Sequence, residues 1–166
     1  MEMEGEIIFT PFGGSGLALW CHRLANLNRP EFHIYDRDNP PPQDSKYQQY
    51  IDEVNQRENC RAVCTNRKEA ENYIHKDAIN EALRETEFEV QLEADLAEFD
   101  DIPSAIKDLI NTVAPQSNKW GENRAKEFLC SAATSKMNKD MLDEIDPNGE
   151  VIGWIREMKE MLESVD

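Results

Sequence analysis

The spacing of apolar positions along this chain changes several times, and each change marks an element. Gly5-Glu6-Ile7-Ile8-Phe9-Thr10 is a short apolar run that predicts a buried strand over residues 6–10, and Pro11-Phe12-Gly13-Gly14-Ser15-Gly16 reads as a tight turn after it. Residues 17–27 are rich in apolar side chains and predict a helix. Phe32, Ile34 and Asp36 then alternate with His33, Tyr35 and Arg37, which is the period of a strand over 32–36. Asn39-Pro40-Pro41-Pro42 ends that strand, because a proline run continues neither strand nor helix. Tyr47, Tyr50, Ile51 and Val54 recur at helical spacing within residues 43–56, and the run before Cys64 predicts a third short strand over 60–64. The order is that of a βαβαβ unit, whose strands lie parallel with right-handed crossovers.

Further along, Ala78, Ile79, Ala82 and Leu83 predict a helix, and Glu87-Phe88-Glu89-Val90-Gln91-Leu92 alternates as an edge strand does. Residues 93–101 form an acidic loop, of the kind that is usually a solvated face. Ile102-Pro103 starts a helix carrying Ile106, Leu109, Ile110 and Val113, and Ala114-Pro115-Gln116-Ser117-Asn118 ends it. Residues 119–136 present Trp120, Phe128, Leu129 and Ala132 on a further helix. The turn Asp146-Pro147-Asn148-Gly149 precedes a last amphipathic helix with Val151, Ile152, Ile155, Met158, Met161 and Leu162. No repeat, low-complexity segment or clear linker interrupts the chain. The expected organisation is an α/β core over 1–100 and a helical extension over 101–166 packed on it.

Composition narrows the function classes. At 166 residues the chain is long enough for one domain with a real core, and 39% hydrophobic with 31% charged residues is ordinary for a soluble globule. No apolar run reaches membrane-spanning length, and the acidic start Met1-Glu2-Met3-Glu4 has no basic region of a secretory signal, which makes a cytoplasmic protein the default. Cys21, Cys60, Cys64 and Cys130 form no Cys-x-x-Cys pair and have no histidine at zinc-finger spacing, so they read as reduced core thiols. A net charge of -16 argues against a free-standing nucleic-acid binder and favours divalent cations or a basic partner.

The chemistry concentrates after the second strand. Asp36 and Asp38 fall at its carboxyl end, where open α/β sheets bind ligands, and side chains two apart on a strand point the same way, so the pair could share one hard cation. An Asp-x-Asp alone is more often two solvated turn residues. Arg67-Lys68-Glu69-Ala70-Glu71, just past the third strand, brings Glu71 within reach as a third carboxylate and sets Arg67 and Lys68 near enough to meet phosphate. Taken alone, Glu71 is more often a helix-surface residue. The glycine cluster at 13–16 lacks both the Lys-Ser/Thr of a P-loop and the third glycine of a dinucleotide fingerprint.

Five segments in order carry a resemblance: Phe32-His33-Ile34-Tyr35-Asp36-Arg37-Asp38, Arg67-Lys68-Glu69-Ala70-Glu71-Asn72-Tyr73-Ile74, Phe99-Asp100-Asp101-Ile102-Pro103, Lys119-Trp120-Gly121-Glu122 and Glu144-Ile145-Asp146-Pro147-Asn148-Gly149-Glu150. The series resembles the TOPRIM nuclease region of overcoming-lysogenization-defect (OLD) family ATP-dependent endonucleases. That resemblance implies a Rossmann-like TOPRIM parallel sheet and a Mg²⁺- or Mn²⁺-dependent DNA endonuclease, fused behind an ABC-type ATPase and serving defence against phage. It implies Asp36, Asp38 and Glu71 as metal ligands and catalytic carboxylates, with Lys126, or else Lys119, as the lysine brought to the scissile phosphate. In the family a first strand ends in Glu-Gly and a helix follows, whereas here Glu4-Gly5 runs straight into Glu6-Ile7-Ile8. The expectation is a TOPRIM sheet lacking its first βα unit, inactive as a lone chain and reaching DNA through an assembly completed by the ATPase portion, a partner chain or a homo-oligomer, away from membranes. The alternative is a non-catalytic TOPRIM remnant that serves as an interaction module or regulator of a nuclease complex.

Overall fold

A computed structural model describes residues 7–11 and 16–163. The protein is mixed α/β and divides into two compact units, neither of them one continuous stretch. The first takes in the described residues up to Tyr35, Asp44–Cys64 and the residues from Val151 on; the second takes in Asp36–Gln43 and Thr65–Glu150.

In the first unit, β1 (Glu31–Tyr35) and β2 (Cys60–Cys64) pair in parallel, with Glu31 opposite Cys60 and Tyr35 opposite Cys64. Parallel strands need a crossover, and α2 (Gln48–Asn55) supplies it. Ile51 and Val54, one turn apart, face inward and meet Leu17 and Cys21 of α1 (Leu17–Arg23) together with Tyr35 and Ala62. The end of α2 also closes the free side of β2: the Asn55 amide donates to the Ala62 carbonyl at 3.1 Å, and its oxygen accepts from the Ala62 N–H at 2.8 Å. At the opposite end of β1, the Arg57 guanidinium forks onto Glu31 at 2.9 and 3.0 Å, and the buried His33 ring sits 2.9 Å from the same carboxylate.

The strand expected over 6–10 does not form. Residues 7–10 carry no regular structure, and Ile8 and Phe9 are 84% and 61% exposed, so the segment is apolar in composition without burying those side chains. Glu6 and the glycines at 13 and 14 lie outside the described residues. The sheet of the described residues therefore has two strands rather than three.

In the second unit, helices surround a core of Ile79, Leu83, Ile102, Ile106, Ile110 and Leu129, with Trp120 edge-on to Phe88 and Phe128. α3 (Lys76–Arg84) starts at His75. α4 (Ile102–Asn111) starts where the Asp101 carboxylate accepts the Ser104 N–H at 3.0 Å with Pro103 in the first turn, a pairing that satisfies one orphan donor and omits another. The helix expected over 119–136 is shorter and less regular: α5 (Glu122–Phe128) widens into a π turn over Leu129–Ala133 and tightens into a 3₁₀ turn over Thr134–Lys136. α6 (Lys139–Ile145) follows, and α7 (Glu150–Glu163) completes the helical C-terminal third.

The edge strand expected over 87–92 is absent as a strand, although its alternation is real. Phe88 and Leu92 are buried. The reason lies in the partner: Asn80 of α3 takes the place of a neighbouring strand, donating to the Leu92 carbonyl at 3.1 Å and accepting its N–H at 2.8 Å.

Candidate carboxylate and lysine site

All the residues of this site belong to the second unit. Its framework is two loops tied back to back. The Arg37 N–H donates to the Thr65 hydroxyl at 2.9 Å, that hydroxyl donates to the Arg67 carbonyl at 2.7 Å, and the Asp38 N–H donates to the Lys68 carbonyl at 2.9 Å. Thr65 is fully buried, so this linkage is shielded from water and holds the 36–38 segment against the 67–71 segment. Asp36 completes the tie by accepting the Ala70 N–H at 3.2 Å.

From Ala70 to Tyr73 the chain makes a 3₁₀ turn opened by a reciprocal cap, in which Glu69 and Asn72 each bond the other's backbone N–H. That cap turns Glu69 and Glu71 inward. Both are buried, 8% and 7% exposed, which is unusual for glutamates without partners. The partner comes from α5: the Lys126 ammonium lies 2.8 Å from Glu69 and 3.8 Å from Glu71. The Cys130 thiol, from the π turn after α5, lies 3.9 Å from Glu71.

The electrostatics follow from this crowding. Burial, and after it the charge of Glu71, pushes Asp36 up to about 6. Burial raises Glu71 as well, with Glu69 adding to the rise and Lys126 opposing it. For Lys126, burial works against the charged ammonium, yet the hydrogen bond to Glu69 and the charges of Glu71, Glu69 and Asp36 outweigh it and lift its pKa. Burial and the Glu71 charge push the Cys130 thiol up. One ammonium therefore faces a group of carboxyls that holds more negative charge than it neutralises. The donor set is all hard oxygen, the chemistry a magnesium or manganese ion selects.

The structure departs from the sequence expectation in several places. β1 ends at Tyr35, so Asp36 and Asp38 lie beyond the strand, and Asp38 takes a left-handed backbone (φ 60°) that Asp tolerates better than most residues. The alternation that would set the two carboxylates on one face thus stops before it reaches them. Nor do Asp36, Asp38, Glu69 and Glu71 offer three oxygens within 4.8 Å of one another. Arg67 is committed elsewhere: it donates to the Ile145 carbonyl, lies over the Tyr73 ring and pairs with Glu98 at 3.7 Å. Lys68 pairs with Asp101 at 3.5 Å. Of the expected residues, then, Asp36, Glu71 and Lys126 are brought together, and Glu69 joins them unforeseen. Its signal was present in Glu69-x-x-Asn72, the spacing of a reciprocal cap, which fixes where both side chains point.

No protein-family model, no curated protein and no solved structure matches the chain.

Proposed function

We propose that the second unit carries metal-dependent phosphodiester hydrolysis of the TOPRIM nuclease kind, with DNA as substrate and an ABC-type ATPase portion or another basic partner supplying the DNA-holding surface. The observation behind this reading is Lys126, which stands 57 positions along the chain from Glu69 and still meets it at 2.8 Å beside Glu71 and Asp36. A lysine next to carboxylates of raised pKa is the arrangement that phosphoryl chemistry uses to bring cations and anions to one phosphate. Asp36 and Glu71 would hold Mg²⁺ or Mn²⁺, which when bound supplies a water of lowered pKa and neutralises charge on the attacking and leaving oxygens. Glu69 orients the Lys126 ammonium, and that ammonium has donors to spare for a phosphate oxygen. Thr65 and the Asp38–Lys68 backbone bond keep the two loops in register.

The test is relaxation of supercoiled plasmid at low salt with Mn²⁺, run beside Mn²⁺-dependent melting. Slow relaxation and a raised melting temperature are expected, both lost in Asp36→Asn. Equal relaxation by the wild type and Asp36→Asn would sink the reading. A second reading, a non-catalytic interaction module, is favoured by two observations: Lys126 already supplies a counter-charge to Glu69 and Glu71, and three carboxylate oxygens do not converge. In that case Lys126→Ala opens the carboxylates to Mn²⁺ and tightens its binding, and no variant cuts DNA.

A further inference from the structure

We propose that Cys21 and His22 of α1 and Glu53 of α2 form a three-ligand site for Zn²⁺ or a similar borderline cation, stapling α1 to α2 within the first unit. This site is separate in residues and in chemistry from the carboxylate and lysine site. The thiol sulfur, an imidazole nitrogen and a carboxylate oxygen of these residues all lie within 4.8 Å of one another, and among the described residues no other trio of such groups does. Sulfur, nitrogen and oxygen together are the donor set that zinc accepts and magnesium does not. A tetrahedral zinc at its usual bond lengths sets donors about 3.5 Å apart, so the site forms by small side-chain rotations that open the His22–Glu53 pair and draw the sulfur in.

The geometry already contains half of the site. His22 Nε2 lies 2.9 Å from Glu53 Oε2, so the two heteroatoms a cation would bridge are aimed at each other. Glu53 is held from behind by the Gln49 amide at 2.8 Å, an orienting contact of the kind that ligating carboxylates have. Cys21 is fully buried, with its thiol donating to the Ala18 carbonyl at 3.4 Å, while His22 is half exposed and Glu53 a third exposed. The exposure of His22 and Glu53 leaves the trio open to solvent on their side. The location also makes physical sense, because among the described residues the first unit buries a core of six around two strands, and small cores gain most from a metal staple.

Binding is written with its proton. A thiol ligates zinc as the thiolate, so the Cys21 proton would pass to solvent as the Zn–S bond forms, and the proton that His22 Nε2 shares with Glu53 would leave Nε2 through solvent for Nδ1, freeing the Nε2 lone pair. Affinity accordingly rises with pH.

The experiment is Co²⁺ titration of the reduced full chain, followed by Zn²⁺ displacement. Expected is one Co²⁺ per chain, with a near-ultraviolet sulfur-to-cobalt charge-transfer band and strong tetrahedral visible absorption that Zn²⁺ erases. Cys21→Ser should remove the charge-transfer band. Because that change touches the core, His22→Gln and Glu53→Gln on the outside provide the second arm, each expected to weaken Zn²⁺ binding about tenfold or more. Absence of the sulfur band in the wild type, or unchanged affinity in both outer variants, would overturn the proposal. A weak ion on the acidic surface gives Co²⁺ binding without the band and counts against it equally.

Discussion

At Asp36, ionisation is harder in the folded protein than in the unfolded chain, because the carboxyl is partly removed from water beside Glu71. Its folded value of about 6 stands above the ordinary 3.8, so between those pH values the native state keeps a proton that the unfolded chain has lost. Stability from this group is therefore greatest at low pH and falls as pH rises from about 4 to about 6. Glu71, also raised, acts in the same direction, whereas Glu31 and Asp101, both lowered, act oppositely. The clean measurement is thus a difference: melting temperature against pH for the wild type minus Asp36→Asn. It should decline across that window, and a flat difference would show that Asp36 ionises freely. Lys126→Met should destabilise the protein by about 1 kcal/mol in urea unfolding, a modest figure because the lysine side chain is more than a third exposed. Adding Glu69→Gln should restore part of the loss, since the two side chains share one interaction.

Among the elements, one device recurs that no periodicity announces. Asn55 bonds both backbone groups of Ala62, Asn80 those of Leu92, and Asn111 those of Trp120 at 3.0 and 2.8 Å. Each asparagine has the donor and acceptor of a peptide group, so a helix can dock extended chain without a partner strand. Asn80→Ala, the most buried of the three, leaves two buried backbone groups unmatched and should cost about 2–4 kcal/mol in equilibrium unfolding. Far-UV circular dichroism should barely change, because no strand is lost. The same device explains what the sequence could and could not disclose. The alternation of Phe32, Ile34 and their neighbours located β1, β2 and their parallel order, and Asp101-Ile102-Pro103 located the start of α4, because these are local signals acting on local backbone. Residues 87–92 show the alternation of a strand but pair with a side chain, and residues 7–10 have the composition of a strand but stay irregular, with Ile8 and Phe9 exposed. Asp36 was legible as a carboxylate just past a strand and Lys126 only through the resemblance, beside Lys119, whereas the left-handed turn at Asp38 and the inward Glu69 depend on contacts with loops far along the chain.

For the molecule as a whole, 34 acidic residues against 18 basic ones set the terms on which it could meet DNA. A polyanion approaching a net charge of -16 is repelled at long range, and the cations nearest the candidate site are already engaged: Lys126 by Glu69, Lys68 by Asp101 and Arg67 by Ile145 and Glu98. Affinity for phosphate backbones comes from neutralising cations and the counterions they release, and this chain has few to offer. Cutting by the chain alone should therefore be slow, and a poor rate would say nothing about its catalytic groups. The two can be separated by appending a tail of about eight lysines, enough to contact a similar number of phosphates and raise affinity by orders of magnitude at low salt. If the carboxylate and lysine site is a nuclease centre, Mn²⁺-dependent relaxation of plasmid should rise about tenfold or more with the tail, fall steeply with added salt, and vanish in tailed Asp36→Asn and tailed Lys126→Ala. Tight DNA binding by the tailed chain without Asp36-dependent cutting would mean that access to DNA was never what held the site back. The carboxylates and Lys126 would then be a buried ion network that fixes the loops of the second unit, and the interaction-module reading would stand in place of the nuclease.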